Sequence, residues 1–333
     1  MINEHYRAVV CTRLDGPSGL AVQLLARRPL GPGEVRVRIA AAGVNFPDLL
    51  MTRGAYQYKP PLPFVPGMEA AGLIVETAPD VAGFKPGQAV ALNTRTGLFA
   101  AEAIVPATAL VPAPAGFSAA EAACLLVAAR TARHALVDRA HTQPGETVLV
   151  LGAGGGVGLA AVEIAHLLGA RVIAAASADD KLRAAIARGA QDTINYGAGD
   201  LVEQTRRLAP DGVDVIFDPV GGDLFEQALR LPAWNGRVLV VGFASGRIGS
   251  APANRLLIKG YSVLGVRAGE AARRDPALAA RSASQLAAWA ASGHLRPYIS
   301  ASFPLEEANL ALEEIAARRA VGRIALIVDL SLQ

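Results

Sequence analysis

The segment of this sequence best equipped to do chemistry is a run of glycines. Thr147-Val-Leu-Val-Leu151 reads as a strand, Gly152-Ala-Gly-Gly-Gly-Val-Gly158 as a tight turn, and Leu159–Leu168 as an apolar helix. The spacing is Ala153-x-Gly155-x-x-Gly158, so the first glycine of the dinucleotide fingerprint is an alanine. The physical logic survives that change. Gly155 lets backbone approach a pyrophosphate, and Gly158 lets the helix pack close on the strand. The helix start at Gly156 and Val157 offers N–H groups and a partial positive charge to the phosphates. A tight turn without a ligand is the competing reading. A glycine turn set between strand and helix, inside an alternating array, points instead to a nucleotide.

The following strand, Arg171-Val-Ile-Ala-Ala-Ala176, bears on which nucleotide. An acidic residue at its end, about 20 residues past the turn, would hold a ribose 2′-hydroxyl. Here the strand ends in Ala176-Ser177, and Asp179 and Asp180 follow only at the start of the next helix, where acids favour the helix dipole. Ser177 as a hydroxyl donor and Lys181 as a point charge suit a 2′-phosphate, so NADP(H) is the favoured cofactor. A solvated helix residue is the other reading of Lys181.

These residues need a scaffold, and the pattern supplies one. Candidate strands at 147–151, 171–176, 192–195, 213–217, 237–241 and 261–266 alternate with helical stretches. That alternation predicts a parallel sheet covered on both faces, and six strands fit the doubly wound order 3-2-1-4-5-6. Residues 1–115 have a different texture, rich in Gly and Pro. Val35-Arg-Val-Arg-Ile39 alternates as a half-buried strand does, and Ala70–Glu76 and Gln88–Asn93 read as further strands of an irregular β-barrel. Ser118-Ala-Ala-Glu121 is a capping box that opens two alanine-rich helical stretches ending near Ala140. After Arg267 come helical stretches at Pro276–Ser292 and Leu305–Arg318, then an apolar strand, Arg323–Val328. That strand has no place in the nucleotide sheet and is expected to return to the first domain.

Composition removes several function classes. At 52% hydrophobic and 18% charged, the 333-residue chain is no disordered protein. A net charge of +3 is too small for a dedicated nucleic-acid binder. Two cysteines, Cys11 and Cys124, build neither a disulfide framework nor a Cys-rich zinc site, and point to the reducing cytoplasm. The opening Met-Ile-Asn-Glu-His-Tyr-Arg lacks the apolar core of a signal peptide. The longest apolar run, 148–162, is glycine-rich and short of the ~20 residues a membrane span needs. No membrane partner is expected. The apolar final strand at 261–266 forms a sheet edge that invites pairing with a second copy.

On several motifs the chain resembles the zinc-free quinone oxidoreductases, the ζ-crystallin-like branch of the medium-chain dehydrogenase/reductase superfamily. The motifs are Ala42-Gly-Val-Asn-Phe-Pro-Asp48, Arg53-Gly-Ala-Tyr56, Pro66-Gly-Met-Glu-Ala-Ala-Gly72, Gly155-Gly-Val-Gly158, Ile194-Asn-Tyr196, Phe217-Asp-Pro-Val-Gly-Gly222 and Val241-Gly-Phe-Ala-Ser-Gly246. The resemblance implies a β-rich, GroES-like catalytic domain (1–122 and 268–333) interrupted by a Rossmann domain (123–267). It implies hydride transfer from NADPH to a quinone or conjugated enone. An enoyl-thioester or 2-alkenal reductase, and a non-catalytic NADPH-binding protein, stand as alternatives. It also implies homodimers joined at 261–266. Zinc-dependent relatives carry cysteine where this chain has Asn45 and histidine where it has Met68, so no metal is expected.

Residue by residue, the resemblance places Asn45 and Tyr56 in the cleft between domains and Thr131 near the nicotinamide. Gly242, Phe243, Val266 and Arg267 would line the nicotinamide end, and Tyr196 and Arg318 the adenosine phosphate end. Ala129, Arg130, Arg267 and Ala268 stand where many relatives have aromatic or small residues. This implies a wider, more positive acceptor pocket, unless the arginines lie on the surface. Plainer roles sit beside these. Asn45 can satisfy backbone groups in a turn. Asp48 can start a helix, Asp218 can cap a turn, and His134 can be a packed histidine.

Overall fold

The computed structural model describes residues 4–332; residues 1–3 of the opening segment, and residue 333, lie outside them. The described residues divide into two compact units. One runs through Val127 and resumes at Pro297; the other is Ala128–Arg296.

The first unit is organised around the long strand Glu34–Val44. Its first half alternates: Val35, Val37 and Ile39 are buried while Arg38 is exposed. From Ala40 onward every residue is buried, because both faces are covered. Small side chains make that possible. Ala41 meets Ala71, Ala122 and Ala123, so the helix Ala119–Ala123 lies close on the sheet. The expected capping box starts that helix. Ser118 Oγ accepts the Glu121 N–H at 3.3 Å, and Glu121 Oε2 accepts the Ser118 N–H at 2.8 Å.

Among the described residues this sheet has seven strands. Its path runs Ile299–Pro304, Arg323–Ile327, Glu34–Val44, Glu69–Thr77, Ala89–Asn93 and Leu110–Pro112, with Glu102–Pro106 also pairing with Glu34–Val44. The C-terminal strand thus returns to the first unit, antiparallel to Glu34–Val44 with Ile324 opposite Val44. The path does not close on itself. A separate two-stranded ribbon, His5–Cys11 with Leu20–Ala26, adjoins it through the Val9 N–H to Phe99 carbonyl bond of 2.8 Å.

The second unit holds a six-stranded parallel sheet. We label its strands β1 (Thr147–Leu151), β2 (Arg171–Ala176), β3 (Asp192–Asn195), β4 (Val213–Asp218), β5 (Pro232–Val240) and β6 (Ser262–Gly265). They lie in the order β3-β2-β1-β4-β5-β6. Residues Val148 to Leu151 of the central strand are fully buried, as strands covered on both faces must be. Helix α1 (Gly156–Leu167) follows β1, and α2 (Asp179–Ile186) follows β2. At the opposite end of the strands, Arg237 grips Glu146 through two bonds of 2.8 and 2.7 Å.

Two features depart from the sequence reading. Helices Ala268–Arg274 and Pro276–Ala291 belong to the second unit, so the return begins at Pro297 rather than at 268, and the first boundary follows Val127 rather than residue 122. Polar ties account for this. Arg133 Nε donates to Gln285 Oε1 at 2.7 Å, and the Arg188 guanidinium donates to the Arg296 carbonyl. The second feature is a π-helical turn over His134–Arg139. A widened turn lets residues five apart face each other. Arg133 reaches both oxygens of Asp138 at 2.8 and 2.7 Å, and His134 Nδ1 lies 3.0 Å from the same carboxylate. His134 is therefore a buried, hydrogen-bonded residue. No helix among the described residues is long and apolar enough to cross a membrane.

Candidate active site

The residues expected to hold a nucleotide in the second unit gather where its strands end. After β1 the chain turns, and α1 begins behind Gly155, an N-cap residue with no side-chain cap. A Cβ on Gly158 would lie 2.3 Å from the Gly152 carbonyl oxygen and 2.9 Å from Ala153 Cα, so only glycine fits. Gly155 is different. A Cβ there would meet nothing closer than 3.5 Å. The protein's own packing therefore does not require glycine at 155; it leaves space in front of an uncapped helix start. That is the shape a pyrophosphate needs.

The neighbouring strand ends close round this turn. A Cβ on Gly154 would fall 2.3 Å from Lys181 Cβ, so the stem of Lys181 rests against the glycine turn. Ser177 is exposed just past β2, and the Tyr196 N–H donates to the Ala176 carbonyl at 3.0 Å. Gly156, Val157, Ser177, Lys181 and Tyr196 thus lie at the C-terminal ends of three adjacent strands, in the loops or the first helical turns that follow them. On the other side of β1, the Val241 and Gly242 N–H groups reach the Asp218 carbonyl at 2.9 and 3.4 Å. Phe243 follows directly. The Val266 N–H donates to the Val240 carbonyl at 3.0 Å, and Arg267 opens the next helix as an exposed N-cap residue. Asp218 itself is buried, and its Oδ1 accepts the Val220 and Gly221 N–H groups at 2.7 and 2.9 Å. That is a turn role, and burial pushes its carboxyl above the usual range.

Thr131 also lies in the second unit, half-buried on the helix Leu126–Arg133, with Arg130 half-buried and Ala129 buried beside it. Asn45, Tyr56 and Arg318 lie in the first unit. Tyr56 packs against the small cluster of Cys11, Met51 and Phe64. Arg318 follows the helix Ala308–Ala316 with φ at +58°, a left-handed conformation that side chains other than Gly and Asn rarely adopt.

Asn45 belongs to a buried polar cluster. It caps the helix Phe46–Thr52, and its own N–H donates to Asp48 Oδ2 at 2.9 Å. Its Nδ2 donates to the Gly43 carbonyl and to Glu69 Oε1, both at 3.1 Å, and its Oδ1 accepts from Arg323 Nη1 at 2.9 Å. Both ends of the amide are thus committed within the first unit. Glu69 is fully buried and bonds to the Arg323 guanidinium, while its other oxygen accepts the Val127 N–H at 2.8 Å. Asp48 also receives the Gly67 N–H at 3.1 Å, and burial pushes its carboxyl up to about 7. Burial likewise pushes the Cys124 thiol up to about 12, which leaves it unreactive.

Arg323 escaped the sequence reading. Its signal was a single cation heading the apolar run Ile324-Ala-Leu-Ile327, matched by Glu69 at the head of an equally apolar run. Two opposite charges, each heading an apolar run, point to one another. The contact between Asn195 and Asp179 was missed as well; it forms only because β3 folds beside β2. Among the described residues, no three His, Cys, Asp or Glu side chains gather as a metal ion requires.

A family model described as "Alcohol dehydrogenase GroES-like domain" matches residues 31–115, and one described as "Zinc-binding dehydrogenase" matches 156–284. The mouse (Mus musculus) "Quinone oxidoreductase-like protein 2" is 43% identical over 97% of this chain and 92% of its own length. The chain belongs to the quinone oxidoreductase branch of the medium-chain dehydrogenase/reductase superfamily. Solved relatives agree with it in fold. A quinone oxidoreductase from Thermus thermophilus, determined alone and with NADPH, is 34% identical with a TM-score of 0.83, covering 97% of this chain and 100% of that one. An NAD-dependent alcohol dehydrogenase is 33% identical with a TM-score of 0.88, over 97% and 100%. In this quinone oxidoreductase fold the GroES-like part is the first unit and the Rossmann part the second.

Two expectations follow. Gly158→Ala should lose ~1–3 kcal/mol in a urea melt, because its Cβ overlaps backbone. Gly155→Ala should stay within ~0.5 kcal/mol of the parent, since its extended backbone accepts alanine, yet bind nucleotide at least tenfold more weakly. If the two variants melt alike, the space before α1 is not what the geometry indicates. In the first unit, Arg323→Met should cost ~3–5 kcal/mol by leaving Glu69 buried without its cation. Adding Glu69→Gln should recover part of that loss. A double-mutant cycle with no coupling would refute the pairing.

Proposed function

We propose that the protein is an NADPH-dependent reductase of quinones or conjugated enones that works without zinc. The observation that carries this reading is the open space at Gly155 before the uncapped start of α1, flanked by Lys181. NADPH, when bound, supplies the hydride. The protein's part is to hold and orient it. The α1 N-terminus takes the pyrophosphate, with Gly155, Gly156, Val157 and Gly158 giving backbone access. Ser177, Lys181, Tyr196 and Arg318 take the adenosine phosphate end. Gly242, Phe243, Val266 and Arg267, at the ends of β5 and β6, take the nicotinamide end.

Hydride addition leaves negative charge on the acceptor oxygen, and a donor must meet it. The Asn45 amide has both hydrogens committed to Gly43 and Glu69. Following the resemblance, we assign donor roles to the Tyr56 hydroxyl and to Thr131, and we give Asn45 the task of fixing the Glu69–Arg323 pair. The residue types support zinc independence. An amide with committed hydrogens and a thioether stand at Asn45 and Met68, and neither is a ligand zinc favours.

Arg318 supports the choice of NADPH over NADH. A left-handed arginine costs of order 1 kcal/mol that a glycine would not. The resemblance assigns its guanidinium to the adenosine phosphate end, where the 2′-phosphate of NADPH is an anion. The deciding experiment is NADPH consumption across benzoquinones, enones, 2-alkenals and enoyl-CoAs, with nucleotide affinities measured alongside. Turnover of quinones or enones is the expected result. Turnover of enoyl-CoA or 2-alkenals alone would move the assignment to that class. Tight NADPH binding with no turnover would mark a binding protein. Arg318→Gly should weaken NADPH at least tenfold while stability stays level or rises by up to ~1 kcal/mol. Unchanged NADPH affinity would remove Arg318 from the site.

We further propose a homodimer formed at β6. That strand pairs with β5 on one side, and Trp234, Leu257 and Ile258 are exposed on the neighbouring segments. Open strand edges and clustered apolar side chains favour a second copy. Light scattering at micromolar concentration should give twice the chain mass; a monomer there would contradict the proposal.

A further inference from the structure

The nucleotide site carries a fixed anion next to its cation. Asp179 is the first residue of α2, a helix whose N-cap, Ala178, has no side chain able to cap it. An aspartate in that place could turn to the helix's own N–H groups. Asp179 instead accepts from Asn195 Nδ2 at 2.6 Å. Asn195, the last residue of β3, is itself held. Its Oδ1 accepts the Gly197 N–H at 2.9 Å, and its carbonyl accepts from Gln204 Nε2 at 3.1 Å. The amide can face only one way, so its NH2 group needs an acceptor where Asp179 stands. The same loop touches the end of β2: a Cβ on Gly197 would lie 2.4 Å from the Ser177 carbonyl oxygen. Lys181, two residues further on, rests its stem against Gly154. Asp179 and Lys181 thus stand in the first turn of α2, just past Ser177, one pinned from the β3 side and the other lying along the glycine turn.

A ribose 2′-hydroxyl is a donor and favours a carboxylate. A 2′-phosphate is an anion and favours an ammonium. We propose that Asp179 is a specificity-determining residue, held in place by Asn195, that restrains the preference for NADPH and lets the site accept NADH as well. The proposal rests on the nucleotide-binding reading above and sets how narrow the choice of nucleotide is. Asp179 would accept the 2′-hydroxyl of NADH and repel the 2′-phosphate of NADPH, while Lys181 does the reverse.

The experiment is a binding titration of the protein with NADPH and with NADH, without an electron acceptor. Asp179→Asn keeps an oxygen for Asn195 Nδ2 and removes only the charge. It should tighten NADPH about tenfold, or 1.4 kcal/mol, and leave NADH equal or weaker. The gain should shrink between low and high salt, as a Coulomb effect does and a packing effect does not. Asp180→Asn is the control. It makes the same charge change one residue along, where the carboxylate accepts the Lys181 N–H at 2.8 Å, and should shift NADPH affinity less than threefold. An unchanged NADPH-to-NADH ratio in Asp179→Asn would overturn the proposal while leaving the nucleotide reading intact. So would an equal gain from Asp180→Asn. Failure of the parent protein to bind either nucleotide would overturn both.

Discussion

The second unit depends on one close approach of backbone to backbone. Gly158, in the first turn of α1, sits so near Gly152 and Ala153 that no side chain fits between them. That contact fixes the angle at which α1 leaves β1. With the angle set, the helix start faces open space at Gly155 instead of being covered by its own loop. Everything proposed for the nucleotide follows from that aim. The parallel order of the sheet then brings Ser177, Lys181, Asn195 and Tyr196 to the same edge, since each lies at or just past the end of β2 or β3.

The first unit solves a different problem. Its sheet is packed with alanines, which bring a helix close but fill little volume, and polar groups occupy the remaining depth. Glu69, Asn45, Asp48 and Arg323 are buried together and bonded to one another or to backbone. A buried ion pair is weak evidence for stability in itself, because desolvation offsets much of the attraction. Its effect here is on specificity of arrangement. The Glu69 carboxylate and the Asn45 amide each bond to several partners, and those bonds tie the start of the helix Phe46–Thr52 to the C-terminal strand.

How much of this was legible in the sequence divides by the range of the interactions. Strands β1 and β2 fall on apolar runs, because buried parallel strands need uninterrupted apolar residues, whereas β3, Asp192-Thr-Ile-Asn195, lies at the sheet edge with only Ile194 buried. The capping box at Ser118 and Glu121 was legible for a similar reason, being made within four residues. The return point was not. Helix Pro276–Ala291 is held to the second unit by Arg133 and Gln285, which are 152 residues apart, and nothing local announces that contact. The same holds for Arg323 with Asn45, and for Asp179 with Asn195. Local propensity names the elements; long-range polar bonds decide which unit owns them and which atoms remain for a ligand.

The C-terminal strand also sets an order of events during synthesis. Glu69 and its cation Arg323 are 254 residues apart in the chain. At about 5–20 residues per second, a ribosome makes the carboxylate roughly 10–50 s before the guanidinium that neutralises it. Through that interval the strand Glu34–Val44 lacks its Arg323–Ile327 neighbour, and the carboxylate has no cation with which to enter the core. The Rossmann unit has no such debt, because Ala128–Arg296 is continuous and emerges whole. The half of the molecule translated first is therefore the half completed last.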